Sequence, residues 1–164
     1  MKYDIVLCGV GGQGVLSVAA IIAGAAVAEG LKVRQSEVHG MAQRGGAVLA
    51  HLRLSSEDIR SDLIPGGGAE MILSMEPVES LRYVSFLSPG GIIVTAGEPF
   101  VNIPDYPELA GIHAAIGKFP RSLLVPALDI AKAAGSPKAT NMALVGAASK
   151  HIPLRAESLE TPVR

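Results

Sequence analysis

Two stretches of the chain hold most of the residue types that could do chemistry. The first is Gly9-Val10-Gly11-Gly12-Gln13-Gly14, directly after an apolar run. Its G-x-G-x-x-G spacing is that of a strand-to-helix turn on a dinucleotide. The first glycine makes the turn, the second lets backbone approach the pyrophosphate, and the third lets the helix pack against its strand. The second stretch runs from Glu37 to Gly46, EVHGMAQRGG. There His39 can take or give a proton near neutral pH, and Arg44 is a fixed cation suited to phosphate or carboxylate. Gly40, Gly45 and Gly46 permit close backbone approach, Met41 is an adaptable apolar contact, and Glu37 and Gln43 add polar groups.

Taken alone, the first turn fits two readings. It could be a dinucleotide turn in an NAD(P)-binding dehydrogenase domain, with Glu37 or Arg34 beside the ribose. It could be a sharp turn that only packs a helix. A nucleotide triphosphatase loop is excluded, because Val15 and Leu16 stand where lysine and serine or threonine must be. Gln13 adds polarity at a helix N-terminus, where an anion is already favoured. No nucleophile elbow, carboxylate pair or metal-ligand spacing accompanies these turns, so no metal site and no complete catalytic set is assigned. His39 and Arg44 are candidate contributors to a shared site. Cys8 is the only cysteine, which excludes an intrachain disulfide and a cysteine-ligated cluster, and it reads as core.

The elements that must position these turns follow from hydrophobic periodicity. Residues 4–9 form a continuous apolar strand, and residues 13–29 a long helix stopped by Gly30. Strands are expected at 31–38, 47–55, 69–75, 92–96 and 122–127, with 88–91 as a turn. Helices are expected at 76–87, 127–135 and 138–152. Residues 98–111, with three prolines, read as irregular, with a short helical piece allowed nearby. Alternation of buried strands and covering helices implies one α/β domain: a single, mostly parallel, doubly wound (Rossmann-like) sheet with helices on both faces. Residues 1–152 form that domain, and 153–164 read as a loose polar tail, open to truncation.

The chain has 164 residues, is 49% hydrophobic and carries a formal charge of −1. That near-neutral balance offers no field for nucleic acid or an anionic membrane. The apolar segment 15–28 stops short of the roughly 20 residues a bilayer needs, so a cytoplasmic, non-membrane protein is expected. The sparse surface charge suggests a partner-covered face, and homodimerisation of an isolated chain is left open.

GVGGQGV after the first strand, EVHGMAQRGG after the second and KATNMALVGA at the last helix together resemble the gamma-type subunit or domain of the 2-oxoacid:ferredoxin oxidoreductases. The His-Gly-Met and Gln-Arg-Gly-Gly version is most similar to the beta subunits of the indolepyruvate branch. The resemblance runs from about Tyr3 to His151. It implies thiamine-dependent oxidative decarboxylation of an aryl pyruvate to acyl-coenzyme A and CO2, with electrons passed to ferredoxin. It also implies that thiamine diphosphate, Mg2+ and iron–sulfur clusters belong to a large (alpha) partner subunit, with coenzyme A as co-substrate. The family's glycine loop maps to Gly9, Gly11, Gly12, Gln13 and Gly14, as cofactor-binding residues. Its second loop maps to Glu37, His39, Gly40, Met41, Gln43, Arg44, Gly45 and Gly46, which with Thr140 and Asn141 would face substrate, coenzyme A or the partner. A module serving only assembly is the remaining alternative.

Overall fold

The structure, a computed structural model, describes residues 1–39 and 45–161. Six strands form one sheet in the order β2-β3-β1-β4-β5-β6. They are β1 (Lys2–Val10), β2 (Lys32–His39), β3 (Ala47–Ser55), β4 (Ala69–Ser74), β5 (Leu87–Ala96) and β6 (Ser122–Val125). β1, β4, β5 and β6 pair in parallel, while β3 lies antiparallel between β1 and β2. The sheet is therefore mostly parallel, as expected, with one reversed strand inside it.

Alternation along the strands divides the core. Ile5 and Leu7 of β1, Met71 and Leu73 of β4, and Val94 of β5 enter one apolar cluster, whereas Val6, Cys8, Ile72 and Ile93 enter the other. This is the period-2 pattern of strands covered on both faces. The first face is covered by α1 (Val15–Ala28), α5 (Thr140–Ser149) and α6 (Ala156–Glu160), with α4 (Ala127–Ala133) beside β6. The second is covered by α2 (Pro77–Arg82) and α3 (Leu109–Gly117). α1 buries Val15, Val18, Ala19, Ile22, Ala25 and Ala26, one stripe at helical spacing. It stops at Gly30, whose φ is 82°, while Leu31 N donates to Ala26 O at 3.0 Å to satisfy the last turn.

At the amino ends of the parallel strands, an ion pair on the buried Asp4 ties β1 to β3. Arg53 Nε and Nη2 donate to the Asp4 carboxylate at 3.0 and 3.2 Å, and Arg53 Nη1 donates to Leu63 O at 2.9 Å. That bidentate geometry supplies the hydrogen bonds a desolvated carboxylate requires.

Three sequence expectations need correction. The helix expected over 76–87 ends at Arg82 and gives way to a tight turn at Val84–Phe86. Glu76 caps its start with both carboxylate oxygens, on Val78 N and Glu79 N. Beyond it, Tyr83, Val84 and Phe86 favour helix less, and Phe86 stacks edge-on to His51. The turn expected at 88–91 instead lies within β5 as a register break. Leu87 pairs with Ala69 and Ile92 with Met71, and a Cβ on Gly91 would meet Ala69 O at 2.9 Å. Finally, residues 153–161 are not a loose tail. Leu154 and Leu159 are buried in the main core, α6 packs on α1, and Arg155 N donates to Glu29 Oε1 at 2.7 Å. Two apolar anchors among polar neighbours are too few to show a period. Among the described residues no helix is long and apolar enough to cross a membrane.

Candidate functional site

The first glycine turn closes the carboxyl end of β1. Gly9 is required by crowding, since a Cβ there would lie 2.9 Å from Val15 Cγ2, 3.0 Å from Met75 Cβ and 3.1 Å from Gln13 Oε1. Gly12 and Gly14 are required by backbone, with φ of 97° and 82°. A Cβ on Gly14 would also fall on the Asn141 side-chain amide.

Gln13 is engaged within the protein itself. Its Oε1 accepts from Val10 N at 2.8 Å, and its Nε2 donates to Met75 O at 3.2 Å. The side chain thus stitches the turn to the residue after β4. Asn141, in the first turn of α5, donates through Nδ2 to Gln13 O at 2.9 Å. Two residues singled out in the sequence, 128 positions apart, meet there.

The second glycine loop joins the first through backbone. Gly11 N donates to Gly46 O at 2.7 Å, and Gly45 N donates to Gly11 O at 3.4 Å. In a dinucleotide turn the middle glycine leaves room for pyrophosphate. Here the group brought close to Gly11 is the backbone of the second loop. His39 ends β2, its backbone opposite Val48, and Glu37 lies exposed near the same end. Gly40, Met41, Gln43 and Arg44 lie outside the described residues.

The reversed β3 also decides the place of Glu37. Glu37 pairs with Ala50, and Ala50 with Leu7 of β1. Glu37 is therefore two strand spacings, about 10 Å, from β1, where a ribose-binding acid stands one strand away. Arg34, farther back on the same strand, pairs with Asp62 at 3.9 Å and is directed away from the glycine turn's end of the sheet.

A cleft of about 450 Å³ opens at the carboxyl ends of the parallel strands, where open α/β sheets take ligands. Its floor includes Met75 and Ala96, which follow and end β4 and β5. Gly12, Gln13 and Gly14 form one wall, and Lys138, Thr140 and Asn141 form another. The N-termini of α1 and α5 both border it, and Lys138 adds a cation, so the cleft offers backbone N–H groups and positive charge to an anion. Glu98, Pro99 and Phe100 close the side after β5, with Glu98 Oε1 accepting from Leu128 N at 3.0 Å.

Sequence reasoning missed Glu98, Phe100, Asn102, Tyr106 and Lys138. The signal for the first four was positional, a proline-rich loop directly after a strand at the ligand edge. Tyr106 donates its hydroxyl to the buried Glu76 carboxylate, and burial together with that bond pushes its ionisation well above the ordinary tyrosine value. Cys8 takes no part. It is buried, its Sγ donates to Glu79 O at 3.5 Å, and burial pushes the thiol up to about 12. Such a thiol is neither nucleophile nor metal ligand at neutral pH. Among the described residues no group of three or more His, Cys, Asp and Glu side chains could hold a metal ion.

Known proteins give the arrangement a context. The family model for pyruvate ferredoxin/flavodoxin oxidoreductase matches residues 4–164. The indolepyruvate oxidoreductase subunit IorB of Archaeoglobus fulgidus is 43% identical, over 89% of this chain and 75% of that relative. Its counterpart from Pyrococcus horikoshii is 39% identical, over 99% of this chain and 85% of that relative. Among solved structures, a pyruvate oxidoreductase subunit from Thermotoga maritima shares the fold with a TM-score of 0.74 at 21% identity, covering 99% of this chain and 83% of its own. The 2-oxoglutarate:ferredoxin oxidoreductase of Magnetococcus marinus, with 2-oxoglutarate, coenzyme A and succinyl-CoA bound, gives the same TM-score and identity over 98% of this chain. This chain spans only 26% of that larger one. With the family pattern running through both glycine loops to the last residue, this chain belongs to the pyruvate ferredoxin/flavodoxin oxidoreductase family.

Proposed function

We propose that this chain is the small subunit of a cytoplasmic, indolepyruvate-type 2-oxoacid:ferredoxin oxidoreductase, and that its joined glycine turns form one wall of a site completed by a large subunit. The observation that carries this reading is the backbone pairing of Gly11 with Gly45 and Gly46, next to the Gly12–Gly14 wall of the cleft. It builds a rigid, exposed edge without a nucleophile, a base in place or a metal set among the described residues. Such an edge fits a contributor to shared chemistry better than a self-sufficient enzyme.

In the reaction, the 2-oxoacid loses CO2, two electrons pass to ferredoxin, and the acyl group joins the thiol of coenzyme A. Thiamine diphosphate with Mg2+ would stabilise the carbanion and iron–sulfur clusters would carry the electrons, all in the large subunit. The one thiol of this chain is buried and protonated and does not fit as a cluster ligand, and among the described residues no His, Cys, Asp and Glu group could hold a metal ion. Coenzyme A fits better. Its phosphates match the N–H groups at the starts of α1 and α5 and the Lys138 ammonium, while Phe100 and Met75 offer apolar surface. The work of this chain is then to bind and orient the acyl acceptor and to cover the mouth of the partner's site.

Reconstitution tests the reading. Adding the purified chain to the large subunit is expected to restore coenzyme A-dependent dye reduction by indolepyruvate, and His39→Ala or Arg44→Ala in the complex is expected to weaken it. Large-subunit activity that is equal with and without this chain would refute the proposal.

A further inference from the structure

The loop from Gly97 to Glu108 connects β5 to α3 and is tied down at several points. Gly97 N donates to Val125 O at 2.9 Å, and Gly97 O lies 2.8 Å from His113 Nε2. Glu98 holds the start of α4 through Leu128 N, and the Tyr106 hydroxyl reaches Glu76. Between these anchors the loop turns Asn102 onto the second glycine loop, where Asn102 Nδ2 donates to Gly45 O at 2.9 Å. The same Gly45 donates its own N–H to Gly11 O. A chain of bonds therefore runs from the loop after β5, through Gly45, into the glycine turn at the cleft. The neighbours of Asn102 face the other way, with Val101 67% and Ile103 38% exposed, so the polar residue is the one directed inward.

Gly45, at a φ of 80°, has no side chain of its own to hold it, and a glycine in that conformation loses much freedom when fixed. We infer that Asn102 is a positioning residue: its amide holds Gly45 so that the second glycine turn stays seated on the first. Its link to turnover rests on the subunit role proposed above; the clamp itself does not.

Amide exchange in the full chain reads the clamp directly. In Asn102→Ala and in the near-isosteric Asn102→Asp, whose carboxylate would face the Gly45 carbonyl, the N–H groups of Gly11 and Gly45 are expected to exchange about fivefold faster, the worth of one neutral hydrogen bond. The amide of Leu7 in the β1 ladder should keep its rate. In the reconstituted complex the same variants are expected to raise KM for coenzyme A by about fivefold with little change in kcat. Wild-type exchange at Gly11 and Gly45 in both variants overturns the clamp. Faster exchange with unchanged KM and kcat overturns its part in the reaction. A wild-type complex that shows no coenzyme A-dependent reduction refutes the subunit reading instead, and the exchange result still decides the clamp.

Discussion

Gly14 carries two constraints at once, which makes it the most demanding single position of the site. Its φ of 82° disfavours any side chain, and an added methyl would displace the Asn141 amide from the Gln13 carbonyl. Gly14→Ala is therefore expected to cost about 2 kcal/mol in urea unfolding, from left-handed strain plus a lost hydrogen bond. Combining it with Asn141→Ala should recover part of that loss, because the collision is then gone. A Gly14→Ala chain within about 0.5 kcal/mol of wild type would show that the turn is more plastic than its geometry implies. Gln13 teaches a related lesson. A glutamine at a helix start reads as a ligand group in the sequence, yet both ends of its amide are used on Val10 and Met75. Polarity alone does not separate a residue that binds from one that builds the binder.

Among the elements, apolar patterning and glycine punctuation placed β1, β3, β4 and α1 closely in the sequence: Gly11 and Gly12 follow β1, Gly30 follows α1, Gly67 and Gly68 precede β4, and Gly45 and Gly46 precede β3. The reversal of β3 was not legible. Its pattern of Val48, Ala50, Leu52 and Leu54 is the same whichever direction it runs, and only the ladder with β1 fixes that. α6 was missed because five residues hold too little period. The site was legible in its glycines and in Thr140 and Asn141, whereas Glu98 and Asn102 sit in a loop whose fold depends on distant partners. His51 of β3 shows how an element reports on such a loop. The ring is buried, its Nδ1 accepts from Ile64 N at 2.9 Å, and burial, then the charge of Arg53, lowers its pKa below the ordinary 6.5. A depressed pKa means that the unfolded chain binds the proton more readily. The stabilisation is thus complete above the unfolded value and is lost as pH falls through the folded one. Unfolding free energy is expected to drop as pH goes from about 7 to about 5, and the drop should be shallower in His51→Gln. Equal slopes in the two proteins would remove His51 from the account.

At the scale of the whole molecule, the same strand-helix opening that suggests a dinucleotide domain leads to a different surface. β3 enters between β1 and β2, moves Glu37 a full strand away from the turn, and delivers Gly45 and Gly46 onto Gly11. The place where a pyrophosphate would press on the middle glycine is taken by a carbonyl of the protein, which repels phosphate oxygens. What remains open is the flank between Gly12, Gly14 and the start of α5, with Lys138 beside it. The acid that lines the same cleft, Glu98, follows β5 rather than β2 and has its Oε1 bonded to Leu128 N, so the ribose contact of a dinucleotide site is not reproduced among the described residues. The isolated chain is accordingly expected to bind NADH or NADPH no more tightly than about 1 mM in a fluorescence titration, the level of unspecific phosphate contacts. A micromolar Kd would mean that the second loop can leave Gly11 and admit a pyrophosphate, and would restore the dehydrogenase reading that the interposed strand now argues against.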